Sequence, residues 1–165
     1  MTRNFLLFLS CLLAITDTFA SPFGLTYTYP FYTKDPNHLH GFRAAINYQP
    51  LSLIGSHWQI YFDAGYSHWW INAGSPHNNL SNYSIAPYFR YYFFKKPTLS
   101  PYAEVSIGLS YLTKTHLDDH NLGMHFAFQD QMGLGVAVGQ NQRLFTTLGF
   151  LHYSNGSMCR MNAGI

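Results

Sequence analysis

Charged residues are scarce in this chain. Aspartate, glutamate, lysine and arginine make up 10% of its 165 residues, against roughly 25% in ordinary soluble domains. Nine basic and seven acidic side chains leave a net charge of only +2, which is too small for a nucleic-acid-binding surface. Aromatic residues are abundant at 18%, whereas disordered chains are poor in aromatics and rich in charge. The composition therefore argues against both nucleic-acid binding and disorder.

Long apolar runs and cysteines are also lacking. After residue 20, no uncharged apolar run reaches the roughly 18 residues that a membrane-spanning helix needs. Of the two cysteines, Cys11 and Cys159, only the second lies outside the N-terminal apolar segment, and one cysteine forms no internal disulfide or multi-cysteine zinc site. Little charge, many aromatics and a mean hydropathy near zero are typical of a transmembrane β-barrel, where lipid-facing and interior residues alternate.

The N-terminus has the pattern of an export signal. Arg3 precedes an apolar stretch of about 11 residues, Phe5 to Ile15, and a site with small residues follows at Thr18-Phe19-Ala20, which is the order found in secretory signal peptides. We therefore predict a signal peptide over residues 1–20 and one barrel domain over residues 21–165.

Apolar and polar residues alternate at every second position in seven later segments. In the clearest one, Trp58, Ile60 and Phe62 alternate with Gln59 and Asp63. Because side chains alternate across a strand, each segment has one apolar face and one polar or small face. In the sixth segment Asp130 interrupts the apolar face. The predicted strands lie near residues 23–31, 42–49, 58–70, 85–93, 103–111, 124–138 and 144–154.

The charged side chains favour a membrane barrel over a soluble one. A soluble sandwich or lipocalin-like barrel has strands of five or six residues and carries its charges outside. Several segments here reach the roughly ten residues that cross a bilayer. Arg43, Asp63, Arg90 and Glu104 all lie on the polar face, which is the interior of a small membrane barrel. The predicted fold is therefore an all-β, antiparallel transmembrane β-barrel, in which we expect these four charges to pair.

Connection lengths predict the topology. Long polar connections near residues 33–39, 73–79 and 113–123 alternate with mostly shorter ones near 50–56, 95–100 and 139–143. Outer-membrane barrels have long outer loops, short periplasmic turns and an even number of strands. We therefore expect the eight-stranded type, with seven strands visible and the last missing, and with the seventh strand ending near the outer leaflet.

Two polar residues at the end of the seventh strand are the candidate catalytic residues. His152 and Ser154 share the parity of Leu144, Leu148 and Phe150, so they are neighbours on the lipid-facing surface. A serine hydroxyl becomes a useful nucleophile when an imidazole removes its proton. The residues that follow supply amide groups that stabilise an oxyanion in such sites. On spacing alone, ordinary interfacial polar residues remain the alternative.

At these residues the chain resembles a known family. His152-Tyr153-Ser154-Asn155-Gly156, Asn162-Ala163-Gly164-Ile165 and the stretch from Phe128 to Gly135 are similar to the signature of outer-membrane lipid A 3-O-deacylases, also described as acyloxyacyl hydrolase-like. The resemblance implies an eight-stranded barrel in the bacterial outer membrane. It also implies a serine carboxylic-ester hydrolase that removes the ester-linked acyl chain at the 3-position of lipid A, without a cofactor.

The family's functional residues are carried over by motif position. Ser154 would be the nucleophile and His152 the general base. Asn155, Ser157 (by its backbone amide) and Asn162 would belong to the oxyanion region. The implied partners are lipid A of lipopolysaccharide and the membrane, and the resemblance leaves a homodimer open.

The chain departs from the family pattern at three places. Met161 stands where the family usually has proline, and Ser157 where it often has glycine. The family's acid, a glutamate that orients the histidine, falls immediately after Ile165. Losing the equivalent acid in a related triad costs about 10⁴ in rate. We therefore expect the 165-residue form to be poorly assembled and nearly inactive.

Two other interpretations stay open. The alternative function is that of a non-catalytic small outer-membrane barrel, an adhesin or a structural protein, since fold does not imply function. Histidines in the outer loops suggest a metal site, but their spacings match no standard one, and we predict none. These loop residues are His38, His40, His77, His116 and His120, with Asp118 and Asp119.

Overall fold

The computed structural model describes residues 6–11, 23–33, 39–50, 54–55, 57–71, 74, 77–139, 142–161 and 163–165. Regular structure in these ranges consists of β-strands. None of the described residues belongs to a helix that is long and apolar enough to cross a membrane. The strands are β1 Leu6–Cys11, β2 Phe23–Thr33, β3 Leu39–Tyr48, β4 Trp58–Ile71, β5 Asn79–Tyr92, β6 Leu99–Leu112, β7 His116–Leu117, β8 His120–Asn121, β9 Phe126–Val138 and β10 Leu144–Ser154.

Eight of these strands form a closed antiparallel barrel. Their order around the barrel is β1-β10-β9-β6-β5-β4-β3-β2, while β7 and β8 form a separate hairpin in the loop that follows β6. The fold class predicted from the alternation is confirmed, and the seven predicted strands correspond to β2–β6, β9 and β10. The sequence pattern missed the small hairpin because two-residue strands show no periodicity.

Seven strands alone would leave the first and last of them without partners, but in the described chain β1 is an eighth strand. β1 lies between them, pairing with β10 from Leu6↔Leu151 to Cys11↔Thr146 and with β2 on its other side. This short apolar segment falls within the predicted signal peptide, outside the predicted barrel domain of residues 21–165. Any extended chain can supply the hydrogen bonds that a sheet edge lacks. The signal peptide itself stays a prediction.

The two faces of each strand have the environments that the alternation predicted. In β4, Phe62 is 44% exposed, whereas the adjacent Asp63 is 4% exposed. In β6, Ile107 is 68% exposed and Ser106 is 2% exposed. The apolar face therefore points outward, and the polar face lines the interior.

Exposed aromatic side chains gather at two levels of the outer surface. Tyr83 and Tyr111 lie toward the end with the long loops, and Trp58 and Phe93 lie toward the other end; all four are more than half-exposed. Tyr91, whose ring packs 4.9 Å from that of Trp58, is eight residues from Tyr83 along β5. Eight residues of strand span about 27 Å, which is roughly 20 Å along the barrel axis at a strand tilt of about 40° and is close to the apolar band of about 25 Å between two aromatic girdles.

The first buried ion pair of the interior joins β3 to β4. Nη1 of Arg43 donates to Oδ2 of Asp63 at 3.0 Å, and Nη2 donates to Oδ1 of the same carboxylate. Nη2 also donates to Oγ of Ser84 on β5 at 3.2 Å. Two parallel hydrogen bonds between a guanidinium and a carboxylate fix the relative orientation of the two side chains, in addition to the attraction between their charges.

The second ion pair joins β5 to β6. Nε and Nη2 of Arg90 donate to Oε2 of Glu104 at 2.9 and 2.7 Å. The hydroxyls of Tyr61 and Thr147 donate to the same carboxylate, each at 3.1 Å. The four interior charges predicted to pair therefore do so.

Packing fills the rest of the interior that the structure describes. The space beside the two ion pairs measures only about 30 Å³. Nearer the long loops, the interior is filled by an apolar cluster that includes Trp69, Leu80, Leu112, Leu151 and Ile165. The described interior is thus a packed core, as expected for a barrel of eight strands. It packs against the inward face of β10.

Candidate functional site

The candidate site lies at the end of β10, on the outward face. His152 pairs with Asp130 of β9, and Ser154 pairs with Phe128, in the antiparallel register of the two strands. The intervening Tyr153 is buried at 1% exposure. As the alternation predicted, His152 and Ser154 are therefore next neighbours on one face of the strand, at the end of the barrel that carries the long loops.

The far edge of β10 is held by the C-terminal residues at this level. The backbone N–H of Tyr153 donates to the carbonyl oxygen of Ile165 at 2.8 Å, and the N–H of Ile165 donates back at 3.0 Å. The side chain of Ile165 is buried in the interior cluster. The six pairs of β1 with β10 end lower down, at Leu151. The chain thus leaves β10 at Asn155, and Ile165 lies beside β10 again in antiparallel pairing. We call the described residues between 155 and 165 the returning segment.

A tight turn begins the returning segment. The N–H of Met158 donates to the carbonyl of Asn155 at 3.1 Å, and both central residues have positive φ, 63° at Gly156 and 67° at Ser157. Two left-handed central residues are characteristic of a type I′ turn, which favours glycine. A Cβ at Gly156 would lie 2.8 Å from the ring of Phe128, so glycine also suits the contact with β9.

The buried Asn155 side chain organises this segment. Its Nδ2 donates to the carbonyls of Leu122 at 2.9 Å and Met161 at 2.6 Å, and its Oδ1 accepts the N–H of Ser157 at 3.0 Å. Because these three bonds use both amide hydrogens, Asn155 ties the segment to the loop before β9. The backbone amide of Ser157, assigned to the oxyanion region, already has this partner inside the turn. Asn162 lies outside the described residues.

Gly164 crosses directly over the imidazole of His152. A Cβ built on Gly164 would lie 2.8 Å from Cε1 of His152 and 3.2 Å from the carbonyl oxygen of Tyr153, and φ at Gly164 is +65°. Two constraints therefore require glycine here: the left-handed backbone conformation and the close approach of His152 and Tyr153. In the sequence, Gly164 stands out only as part of a motif, because no periodicity reveals which side chain a loop touches.

The loop histidines that the structure describes are not gathered into one cluster, and His38 lies outside the described residues. The rings of His77 and His116 stack with their centroids 5.1 Å apart, and Nδ1 of His120 lies 2.8 Å from Oδ1 of the exposed Asp119. Within the ranges that the structure describes, no three His, Cys, Asp or Glu residues are grouped so as to hold a metal ion.

The match to a family model covers this site and the barrel strands from β3 onward. The model described as lipid A 3-O-deacylase (PagL) matches residues 40–165. The chain belongs to this family. The matched range includes Asp130, His152, Ser154 and the segment that returns to β10, and the resemblance inferred from the motifs is therefore confirmed.

The chain is also similar to two curated PagL proteins. Over 105 residues it is 32% identical to the lipid A deacylase PagL of Pseudomonas aeruginosa, covering 64% of this chain and 58% of that protein. Over 133 residues it is 26% identical to the lipid A deacylase PagL of Bordetella bronchiseptica, covering 76% and 71%. The chain thus spans little more than half the length of the first relative.

The barrel also resembles the crystal structure of the outer membrane enzyme PagL. The TM-score is 0.63 at 20% sequence identity, over 96% of this chain and 91% of the other. At this identity the likeness shows a shared fold. The roles of individual residues at the end of β10 stay predictions from the motif.

Proposed function

We propose that this chain is an outer-membrane lipid A 3-O-deacylase, a serine carboxylic-ester hydrolase exported by the signal peptide predicted over residues 1–20. Its proposed substrate is lipid A of lipopolysaccharide, and its proposed location is the outer membrane of a Gram-negative bacterium. Membership of the PagL family supports this proposal, as do an outward apolar surface and an interior that is packed where it is described.

The observation that carries the proposal is the position of His152 and Ser154. Both lie on the outward face of β10, at the end toward the long loops. A pair on this face meets lipid laterally, at the level where acyl ester groups of an outer-leaflet lipid begin. A hydrolase for a water-soluble ester would instead need a pocket open to the solvent.

In the proposed first step, the Ser154 hydroxyl attacks the ester carbonyl carbon at the 3-position, and His152 accepts the hydroxyl proton. The tetrahedral intermediate collapses when the carbon–oxygen bond to the sugar breaks. The departing sugar oxygen takes the proton from His152. The products are a free 3-hydroxyl on lipid A and an acyl group on Ser154.

In the second step, water regenerates the enzyme. His152 removes a proton from a water molecule as the water attacks the acyl carbonyl, and then returns the proton to the Ser154 oxygen as the ester bond breaks. The fatty acid leaves, and no cofactor is needed for either step.

Stabilisation of the oxyanion is assigned to the returning segment. The side chain of Asn155 is hydrogen-bonded to the backbone of Leu122, Met161 and Ser157. We therefore propose that it positions the returning segment rather than contacting the oxyanion. Asn162 remains the proposed side-chain donor. A contribution from the Ser157 amide would require its hydrogen bond to Asn155 to open.

The pairing of Ile165 also defines where an acid would orient His152. Ile165 lies opposite Tyr153 and points inward. In the same antiparallel register, the next position lies opposite His152 with its side chain on the outward face. A glutamate there would occupy the place that the family resemblance gives to the third member of the triad.

The test is hydrolysis of lipid A in detergent micelles, with mass spectrometry to detect loss of one hydroxyacyl group. Two preparations are compared: the 165-residue chain, and the same chain extended by a glutamate directly after Ile165 and a ten-residue alternating strand. The added strand takes the edge of β10 that β1 leaves when the predicted signal peptide is removed. We expect the extended chain to deacylate lipid A, and Ser154→Ala or His152→Ala to abolish the reaction in it.

Thr146→Ala is the matched control, because Thr146 is another hydroxyl on the same face of β10, opposite Val136. It should retain activity. If both preparations migrate as folded, heat-resistant barrels and neither releases an acyl chain, the chain is a non-catalytic barrel. Activity that survives Ser154→Ala would exclude this serine as the nucleophile.

A further inference from the structure

A groove lies on the outward face of the barrel, on the wall opposite the candidate site. Counted around the barrel in either direction, β4 is four strands away from β10. The floor of the groove is formed by Ala44 of β3 and Ala64 of β4. Their neighbours across the strand pairs are the larger Tyr27, Tyr66, Ile46 and Ile85. Two small side chains between large ones thus leave a groove of about 1080 Å³.

Three polar side chains lie at the outer end of this groove. Oγ of Ser81 on β5 lies 3.1 Å from the hydroxyl oxygen of Tyr66 and 2.7 Å from Nδ1 of His68, both on β4. Tyr66 also lines the groove, and Ser81 lies two residues beyond Tyr83 toward the long loops. We call Tyr66, His68 and Ser81 the polar trio. The apolar groove therefore ends in polar groups at the level of the outer aromatic girdle.

The polar trio is held in place and retains a hydrogen-bond donor. The N–H of Ser81 donates to Oγ1 of Thr113 at 3.0 Å, and its carbonyl accepts the N–H and the hydroxyl of Thr113 at 2.8 and 2.9 Å. The trio has three hydrogen-bonding hydrogens, one on each hydroxyl and one on a neutral imidazole. Its two internal contacts use two of them, so one hydrogen remains for a group outside the trio.

The two parts of this surface match the two parts of a membrane lipid. An apolar groove suits an acyl chain, and a few hydroxyl and imidazole groups at its end suit the carbonyl or hydroxyl oxygen at the head of that chain. The trio carries no fixed charge, which favours these neutral oxygens over a phosphate. Because the polar end faces the long loops, the matching lipid lies in the outer leaflet. Lipid A, the substrate proposed above, is such a lipid.

We propose that the groove and the polar trio form a second lipid A site, which binds one acyl chain and the oxygen at its head. The site lies on the opposite wall from His152 and Ser154, so it holds a lipid molecule other than the one being hydrolysed. The choice of lipid A rests on the proposed function. Binding itself is independent of the proposed chemistry and is measured with the serine nucleophile removed.

The tryptophans allow binding at this wall to be measured. The chain has three, Trp58, Trp69 and Trp70, all on β4. Trp69 is buried, and the ring centroid of Trp70 lies 5.5 Å from that of His68. In the extended chain with Ser154→Ala and Trp58→Phe, Trp70 fluorescence therefore reports lipid beside the trio. Lipid A with brominated acyl chains, added to detergent micelles, should quench this fluorescence saturably at low mole fraction, and unbrominated lipid A should reverse the quenching.

Two variants remove the two parts of the proposed site. Ala64→Phe fills the groove and should abolish saturable quenching. Ser81→Ala removes the central hydroxyl of the trio and should weaken binding by about 3- to 10-fold, the usual effect of one hydrogen bond. Heat-resistant migration checks that each variant is folded.

Two further variants are the matched controls. Val105→Phe adds the same ring to the outward face of β6, at a position that does not line the groove. Thr146→Ala removes a hydroxyl from the outward face of β10. Both should bind brominated lipid A as the parent does. Equal losses in Val105→Phe and Ala64→Phe, or parent-like binding in both Ala64→Phe and Ser81→Ala, would overturn the proposal.

Other occupants of the groove give different results. Equal quenching by brominated lipid A and brominated phosphatidylethanolamine would show contact with bulk lipid and overturn the proposal. A dimer in detergent that dissociates on Ala64→Phe would assign the groove to a second copy of the chain, and would also overturn it. Saturable binding in a chain whose parent form releases no acyl group would count against the proposed function alone.

Discussion

The interior of this barrel and the outer end of β10 both contain polar residues among apolar ones, but they use them differently. Inside, Arg43 and Asp63 satisfy each other through two hydrogen bonds, and Ser84 adds a third. Outside, His152 and Ser154 lie beside lipid-facing side chains, with the returning segment close against them.

The difference shows how polar groups in a small membrane protein can be assigned a role. Interior charges that neutralise each other in pairs hold strands together and leave little capacity for chemistry. Polar groups on the lipid face stabilise the barrel less than apolar ones would, so their retention needs another reason. Measuring folding and activity on the same variants separates these two kinds of residue.

The largest effect should come from the outward pair. In the extended chain, Ser154→Ala and His152→Ala should each lower kcat by roughly 10⁴-fold or more, and the double variant should be no slower, because members of such a unit are not additive. Heat-resistant folding should stay at the parent level in all three. A double variant much slower than either single one would mean that the two residues act independently.

Breaking the interior pair should affect folding instead. Arg43→Met leaves Asp63 as an unpaired buried charge, which costs about 3–5 kcal/mol, whereas replacing both partners with apolar residues is often near neutral. We expect a large drop in the urea midpoint for Arg43→Met and recovery in Arg43→Met/Asp63→Leu. Activity per folded molecule should be unchanged in the double variant; a selective loss of kcat would assign this pair to the chemistry.

Gly164→Ala should lower both the stability of the fold and the activity, and we expect the larger effect on activity. A left-handed backbone costs a non-glycine residue roughly 1–2 kcal/mol, and the new methyl would push on the His152 imidazole. The matched control is Gly139→Ala, since Gly139 also has positive φ, +83°, but nothing within 4 Å of the added Cβ. Equal loss of activity in the two variants would mean that only backbone strain matters.

The smallest expected effect is a gain in the stability of the folded barrel. Ser157 has φ of 67° in a turn that favours glycine, so Ser157→Gly should stabilise the folded barrel by about 0.5–1 kcal/mol. The control is Met158→Gly at the next position of the turn, where we expect a loss because glycine adds entropy to the unfolded chain. Urea midpoints check both, and destabilisation by Ser157→Gly would contradict the turn assignment.

The sequence by itself determined the barrel and the face on which the candidate residues lie. Strand periodicity is a local property, so it can be read wherever one face is apolar, from Trp58 to Trp70 as well as from Leu144 to Ser154. It also placed Arg43, Asp63, Arg90 and Glu104 inside, because a lipid-facing surface disfavours charge. It could not show which of these charges pair.

Only the tertiary structure decided which residues meet. That Asp130 lies opposite His152, that Ile165 pairs with Tyr153, and that Leu6–Cys11 lies between β2 and β10 all depend on strand register. The bonds of Asn155 to Leu122 and Met161, and the passage of Gly164 over the imidazole, depend on loop conformation. Register and loop conformation arise from hydrogen bonds between residues distant in the chain, and a periodicity of two carries no information about such partners.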